Sequence, residues 1–241
     1  MTQKHIFSDK REVAIQFSSF LTELIFEKEE THIALSGGST PKVIFDVLAE
    51  NFANKINWTK VHLYWGDERC VPPGHEQSNY KMTVDHLLSK IEIPSQNIHR
   101  IQGESDPAEE AKRYSSLLRE KLPEKNDIPA FDLIILGMGD DGHTASIFPH
   151  EIELWRSDKL CEVATHPDSG QKRITITGKV IDNANIVAFL VTGASKAEKV
   201  KSILQREKGY QQYPASLVAP ASGSVYWFLD EKAAYLLRES T

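Results

Sequence analysis

The fold of this chain is decided by residues 131–149, which read FDLIILGMGDDGHTASIFP. Residues 131–136 are nearly all apolar and rich in Leu and Ile, which is typical of a strand buried on both faces within a parallel sheet. Three glycines follow, together with two aspartates and a histidine, and glycine lets a ligand approach the backbone closely. Because ligands of open α/β sheets bind beyond the carboxyl ends of the strands, His143 is a candidate general base.

Two other interpretations of this stretch stay open at the level of the residues. Glycine-rich loops after strands are common, and many of them are only tight turns. Asp140, Asp141 and His143 are also possible metal ligands, but sites rich in oxygen ligands usually need more groups than these three. The sequence therefore favours a site without a metal.

A second strand-to-helix turn has the character of a phosphate site. The strand His32–Ser36 runs into Gly37, Gly38, Ser39, Thr40 and Pro41, and a helix follows. Pro41 fits the first helical turn, and Ser39 or Thr40 is expected to cap it. Exposed N–H groups, the helix dipole and two hydroxyls suit a phosphate group. A well-capped turn without a ligand is the alternative, since the pattern is neither a Walker loop nor a G-x-G-x-x-G fingerprint.

The rest of the chain alternates between helical and extended patterns. Helices are predicted over 11–28, from Ser78 and Asn79 to about Leu88, and from the cap Asp106 to about Leu122; strands are predicted at Val61–Trp65, Arg173–Thr177, Ile186–Val191 and Val225–Leu229. This order predicts an α/β fold, a Rossmann-like mostly parallel sheet flanked by helices. A small additional β-containing region is expected after residue 150, within a single domain spanning residues 1–241.

Composition limits the classes of partner. The chain has 241 residues and a formal net charge of −6, which argues against a nucleic-acid surface. An anionic substrate must then be attracted by local cations. Residues 1–10 are polar and carry no signal-peptide core, and no run has the length of a membrane span. We expect a cytoplasmic protein that binds neither nucleic acid nor membrane.

Two cations occupy positions that suggest such a local site. Lys196 lies near the start of a predicted helix, where its charge opposes the helix dipole. Arg69 ends a cluster of charges that follows the strand Val61–Trp65. Solvated surface side chains are the alternative interpretation of both.

Several of these turns, in this order, carry a family resemblance. The matching stretches are Leu35–Pro41, Trp65–Arg69 with Val71 and Pro72, Ser78 with Asn79, residues 131–149, Arg173–Thr175, Gly193 with Lys196, and Pro214–Ser216. On these stretches the chain resembles the glucosamine-6-phosphate isomerase/6-phosphogluconolactonase superfamily, and within it the lactonases. Arg69 favours the lactonases over the deaminases, which have a different pattern there. Asp140 stands where many members have proline, and His150 where many have glycine.

The resemblance implies an activity, a substrate and a set of site residues. The reaction is hydrolysis of 6-phospho-D-glucono-1,5-lactone to 6-phosphogluconate, the second step of the oxidative pentose phosphate pathway, without a cofactor or metal. His143 is expected to be the general base and Asp141 to orient it. The residues expected to hold the substrate and its phosphate are Gly37, Gly38, Ser39, Thr40, Arg69, Arg173 and Lys196.

Two rival functions remain open on the sequence. One is a glucosamine-6-phosphate isomerase/deaminase, and the other is a sensor that binds a sugar phosphate without turning it over. The expected partner is a small sugar-phosphate lactone, and the expected assembly is a monomer or a small homo-oligomer.

Overall fold

A computed structural model of the chain describes residues 2–221 and 223–237. The strands within these ranges are β1 (Thr2–Phe7), β2 (Thr31–Leu35), β3 (Val61–Trp65), β4 (Asp67–Arg69), β5 (Ile98–His99), β6 (Glu124–Lys125), β7 (Ile128–Pro129), β8 (Leu133–Leu136), β9 (Cys161–Thr165), β10 (Lys172–Ile176), β11 (Ile186–Val191) and β12 (Ser224–Asp230). The α-helices are α1 (Lys10–Phe26), α2 (Ser39–Val47), α3 (Asn79–His86), α4 (Pro107–Lys121), α5 (Gly178–Ile181), α6 (Ala197–Leu204) and α7 (Glu231–Ala234). None of these helices combines the length and the apolar character needed to cross a membrane.

The centre of the molecule is a parallel sheet with the strand order β1-β12-β11-β8-β2-β3-β5. Every neighbouring pair in it runs parallel. β2 and β8 lie in the middle, and all residues of both strands are buried. Their mostly apolar sequences fit this position, because helices cover both faces of such a sheet. The predicted α/β fold with a mostly parallel sheet is confirmed, and the apolar run 131–136 supplies β8.

β2 and β8 are neighbours, but the chain leaves them toward opposite edges of the sheet. From β2 it passes through α2 to β3 and then to β5, whereas from β8 it passes to β11 and β12 on the other side. Connections that diverge in this way leave a crevice beyond the carboxyl ends of the two strands, which is where ligands of open α/β sheets bind. The loops 36–38 and 137–143 both begin at this crevice.

A second sheet is antiparallel and has the order β4-β10-β9. β9 and β10 form the additional β-containing region that the sequence predicts after residue 150. β4 comes from elsewhere in the chain and follows β3 after the single residue Gly66, in a segment that the sequence does not mark as a strand. Its register with β10 places Arg69 directly opposite Arg173.

The helix starts agree with the sequence in α4 and differ in α2. Asp106 caps α4 as predicted, since its carboxylate accepts from the backbone N–H groups of the first turn at 3.0 and 3.1 Å. The expectation that Ser39 or Thr40 caps α2 is wrong. The capping position is Gly38, with a φ of 110° and no side-chain hydrogen bond, and the Thr40 hydroxyl bonds that of Thr192 at 2.8 Å. Glycine adopts this φ without strain, so the backbone itself sets the turn.

Three histidines lie together on β2, β3 and β5, away from the crevice. Nδ1 of His62 lies 3.2 Å from Nε2 of His99, and Nε2 of His62 lies 2.6 Å from Glu30. Nδ1 of His32 lies 3.2 Å from the Tyr64 hydroxyl. Burial lowers the pKa of His32 and His99, and the charge of His62 lowers both further; for His99 the pKa falls to about 4.

We expect the free energy of unfolding to fall as the pH drops from 6.5 toward 4, because His99 titrates near 4 in the folded chain and near 6.5 when unfolded. In that window the unfolded chain binds more protons, so acid favours unfolding. Replacing the imidazole in His99→Gln should make the dependence on pH shallower, by up to about 1.4 kcal/mol per pH unit. Urea unfolding at several pH values measures this, with the exposed loop histidine in His75→Gln as the control. Equal slopes in the wild type and in His99→Gln would contradict the assignment.

Candidate active site

A cleft of about 200 Å³ opens beyond the carboxyl ends of β2 and β8. The predicted site residues that line it are Gly37, Gly38, Ser39, Thr40, Arg69, His143, Arg173 and Lys196. The remaining predicted residue, Asp141, contacts His143. Turns that lie far apart in the sequence thus meet at one rim of the sheet, as the parallel strand order requires.

His143 is held at one ring nitrogen and has the other available. Nδ1 lies 2.6 Å from Oδ1 of Asp141, and the same oxygen accepts from the backbone N–H of His143 at 3.1 Å. Nε2 has no hydrogen-bond partner within residues 2–221 and 223–237. Burial alone would raise the pKa of Asp141, but the hydrogen bond and the charge of His143 outweigh it and lower this pKa to about 2. The ionised carboxylate keeps a proton on Nδ1, which leaves Nε2 as the basic nitrogen.

The position of the ring depends on a glycine. A Cβ atom built on Gly139 would lie 2.2 Å from Nδ1 of His143 and 2.6 Å from Oδ1 of Asp141. The ring also packs against that of Phe148, with the two centroids 4.6 Å apart. A backbone hydrogen bond of 2.9 Å from Gly139 N–H to the carbonyl of His143 closes the loop. The imidazole is therefore oriented by its own loop.

The two aspartates of this loop have different partners. Asp141 bonds His143, whereas Asp140 lies 2.6 Å from Nζ of Lys196. No group of three or more His, Cys, Asp or Glu side chains is arranged to hold a metal ion in the part of the chain that the structure describes. The aspartates thus act on side chains of the cleft.

Two arginines lie side by side on adjacent strands of the small sheet. Arg69 and Arg173 are directly opposite in the pairing of β4 with β10. Among the described residues, both Nε atoms are buried without a hydrogen-bond partner, and neither guanidinium forms an ion pair. Like charges in this position destabilise a sheet, and burial lowers the pKa of Arg173. The arrangement favours an anion bound between the two guanidinium groups.

The loop after β2 presents the N-terminus of α2 to the same cleft. The first N–H groups of a helix have no partner within it, and the helix dipole favours an anion there. Asn79, on the neighbouring α3, shapes this loop, because a Cβ atom on Gly37 would lie only 1.9 Å from its Oδ1. Ser39 accepts a hydrogen bond of 3.3 Å from Lys10. Gly37 thus allows the loop before α2 and the start of α3 to pack closely beside the cleft.

Two further residues of the site were not assigned from the sequence. Asp67 is 5% exposed and lines the cleft. Ser146 is buried, donates to Oδ2 of Asp67 at 2.6 Å and accepts from Arg173 at 3.4 Å. Both residues lie inside stretches that carry the family resemblance, but nothing in the local pattern says that their side chains meet. Buried in this way, Ser146 is not placed as a nucleophile.

Comparisons with known proteins show the family of this chain. Residues 9–227 match the family model described as glucosamine-6-phosphate isomerases/6-phosphogluconolactonase. The chain belongs to this family. It is 46% identical over 207 residues to the 6-phosphogluconolactonase of Haemophilus influenzae, which covers 86% of this chain and 87% of that one. It is 45% identical over 201 residues to the 6-phosphogluconolactonase of Treponema pallidum, covering 83% of each chain. The solved 6-phosphogluconolactonase from Trypanosoma brucei is similar at a TM-score of 0.89 and 27% identity, over 99% of both chains.

We expect Gly139→Ala to break the contact between Asp141 and His143, because the added methyl group would overlap with Nδ1 of the ring. Nitrogen NMR of the imidazole measures the tautomer and should change in this variant. Gly137→Ala is a matched control in the same loop, since its Cβ atom would have only an ordinary contact of 3.8 Å with Ser36. An unchanged His143 tautomer in Gly139→Ala would show that the glycine does not set the ring.

Proposed function

We propose that this chain hydrolyses 6-phospho-D-glucono-1,5-lactone to 6-phosphogluconate. The reaction needs a base for water and cations for a phosphate group, and the relatives reported above are named for it. One observation carries the proposal: Nε2 of His143 is available in a cleft that also holds two arginines without carboxylate partners among the described residues. A sensor that only binds sugar phosphates would not need the base.

In the proposed reaction, His143 moves a proton twice. Nε2 takes a proton from water while the water oxygen bonds to the carbonyl carbon of the lactone. The tetrahedral intermediate then breaks the bond between this carbon and the ring oxygen, which receives the proton from Nε2 and becomes a hydroxyl. The acid product loses its own proton to solvent. Asp141 supports this cycle because its carboxylate stays ionised and stabilises the intervening imidazolium.

Negative charge develops on the carbonyl oxygen in this reaction. The N–H groups of Gly139 and Gly142 already donate within the loop, at 2.9 and 3.1 Å. We therefore assign the oxyanion to the remaining N–H groups of residues 137–142, where Met138 lines the cleft. One such donor contributes roughly 10²–10³-fold in other enzymes.

The phosphate group of the substrate is assigned to the cationic side of the cleft. Arg69 and Arg173 offer planar donors on the small sheet, and Lys196 adds a third charge. The N-terminus of α2 offers the backbone N–H groups around Gly38 and Ser39. Placing the phosphate here leaves the lactone carbonyl to the loop of His143.

We expect His143→Ala to lower kcat by about 10²–10⁴-fold, the usual contribution of a general base, with little change in KM. Lactone hydrolysis is followed against the spontaneous background reaction. His150→Ala is the matched control, because His150 also lies near Phe148, with the ring centroids 5.8 Å apart, and its side chain is 45% exposed. Near-normal turnover in His143→Ala would remove this residue from the mechanism.

The rate should also fall toward acid. The pKa of Asp141 lies at about 2, so this carboxylate stays ionised through the assay range. Imidazoles ordinarily titrate between about pH 5 and 8, and protonation of Nε2 removes the base. A profile of kcat that stays flat across this range would argue against a histidine base.

We expect Arg173→Ala to raise KM by roughly ten- to a hundredfold, as the loss of one charge-assisted contact implies. The change in kcat should be much smaller. Lys172→Ala is the control, because this neighbouring lysine on β10 bonds Thr165 on the exposed side of the small sheet. If Arg173→Ala keeps the wild-type KM, the phosphate is not bound at this position.

The alternative in the same family is a glucosamine-6-phosphate isomerase/deaminase. Incubation of the chain with glucosamine 6-phosphate and an ammonia assay separates the two functions. We expect no ammonia above background from the preparation that hydrolyses the lactone.

A further inference from the structure

The ammonium group of Lys196 already has a counter-ion at the cleft. Its Nζ lies 2.6 Å from Oδ1 of Asp140, and the hydroxyl of Ser195 donates to the same oxygen at 3.1 Å. The side chain of Lys196 is 20% exposed, whereas that of Asp140 is 73% exposed. The hydrogen bond from Lys196 lowers the pKa of Asp140, so the pair is ionic at neutral pH.

Folding stability does not explain the ion pair between Lys196 and Asp140. Asp140 lies largely in solvent, and ion pairs this exposed contribute little to folding stability. The half-buried cations of the same cleft, Arg69 and Arg173, have no carboxylate partner in the described ranges. Asp140 therefore reduces the positive charge that Lys196 offers to a ligand.

Resting on the function proposed above, we propose that Asp140 weakens the binding of phosphate-bearing ligands at this cleft, and that it weakens product binding more than substrate binding. A bound phosphate competes with Asp140 for the N–H donors of Lys196. The carboxylate of Asp140 also repels the phosphate directly, close to solvent.

The difference between substrate and product follows from the chemistry. Hydrolysis converts a neutral ester into a carboxylate, so the product carries one more negative charge than the lactone. The new charge forms at the carbon attacked beside His143, and Asp140 lies three residues before His143 in the same loop. The neighbouring Asp141 is compensated by its hydrogen bond with the imidazole. Repulsion from Asp140 therefore acts on both charged groups of the product and favours its release.

Calorimetric titration with 6-phosphogluconate and with inorganic phosphate tests this inference. We expect Asp140→Asn to bind 6-phosphogluconate about three- to tenfold more tightly than the wild type, with a smaller decrease in the KM of the lactone. Asp140→Glu keeps the charge and should restore the wild-type affinity. Ser195→Ala removes the neighbouring hydroxyl without a change of charge and should leave the affinity unaltered.

A variant of Lys196 tests whether Asp140 acts through this lysine. Lys196→Gln should bind 6-phosphogluconate more weakly, and Asp140→Asn should then produce a smaller gain than it does alone. Thermal midpoints show that each variant is folded, and Asp140→Ser repeats the test with a different neutral side chain. Unchanged or weaker affinity in both neutral variants would overturn the inference.

The titrations do not depend on turnover, so the two proposals fail separately. A wild-type chain that hydrolyses the lactone, with Asp140→Asn no tighter in binding, would overturn only the role of Asp140. A chain that binds 6-phosphogluconate as expected and hydrolyses no lactone would contradict the proposed function and support the role of Asp140 in binding.

Discussion

The cleft depends on the parallel pairing of β2 with β8 at the centre of the sheet. The register sets Ile33 opposite Leu133 and Ala34 opposite Ile134, and continuing it brings Gly37 level with Gly137. Two glycine-rich loops therefore leave the sheet at the same height, one toward a helix N-terminus and the other toward His143. Since the next strands lie on opposite sides, neither loop has to cross the space in front of the other. The position of the imidazole relative to the phosphate loop is thus a property of the sheet.

The charge in the cleft is opposite in sign to the net charge of the molecule. The chain has a net charge of −6, which does not attract an anion, so the attraction has to be local. It is concentrated where Arg69 and Arg173 oppose each other on adjacent strands. That pairing breaks a local rule of sheet stability, and natural proteins break such rules mainly at functional sites. The two arginines are therefore better explained by binding of an anion than by the stability of the sheet.

Much of this arrangement could be predicted from the sequence, because apolar strands and glycine-rich turns leave local signals. The buried run of β8 and the Asp106 cap of α4 follow directly from residue type. The α2 start could not be predicted in detail, because the positive φ of Gly38 makes a side-chain cap unnecessary. The sequence does not predict β1, because it is an edge strand with a mostly polar sequence. The sequence does not predict β4 either, because its three charged residues form a strand only by pairing with β10, about a hundred residues later.

The buried Asp67 raises the question of why the arginines beside it are not neutralised. Its Oδ2 accepts from Ser146, and Ser146 in turn accepts from Arg173. The hydroxyl lies between carboxylate and guanidinium, so the two charges do not form a direct ion pair. The carboxylate still favours the charged form of Arg173 against the effect of burial. Because the serine orients one N–H group and leaves the others available, the same network stabilises the cation and keeps its donors for a ligand.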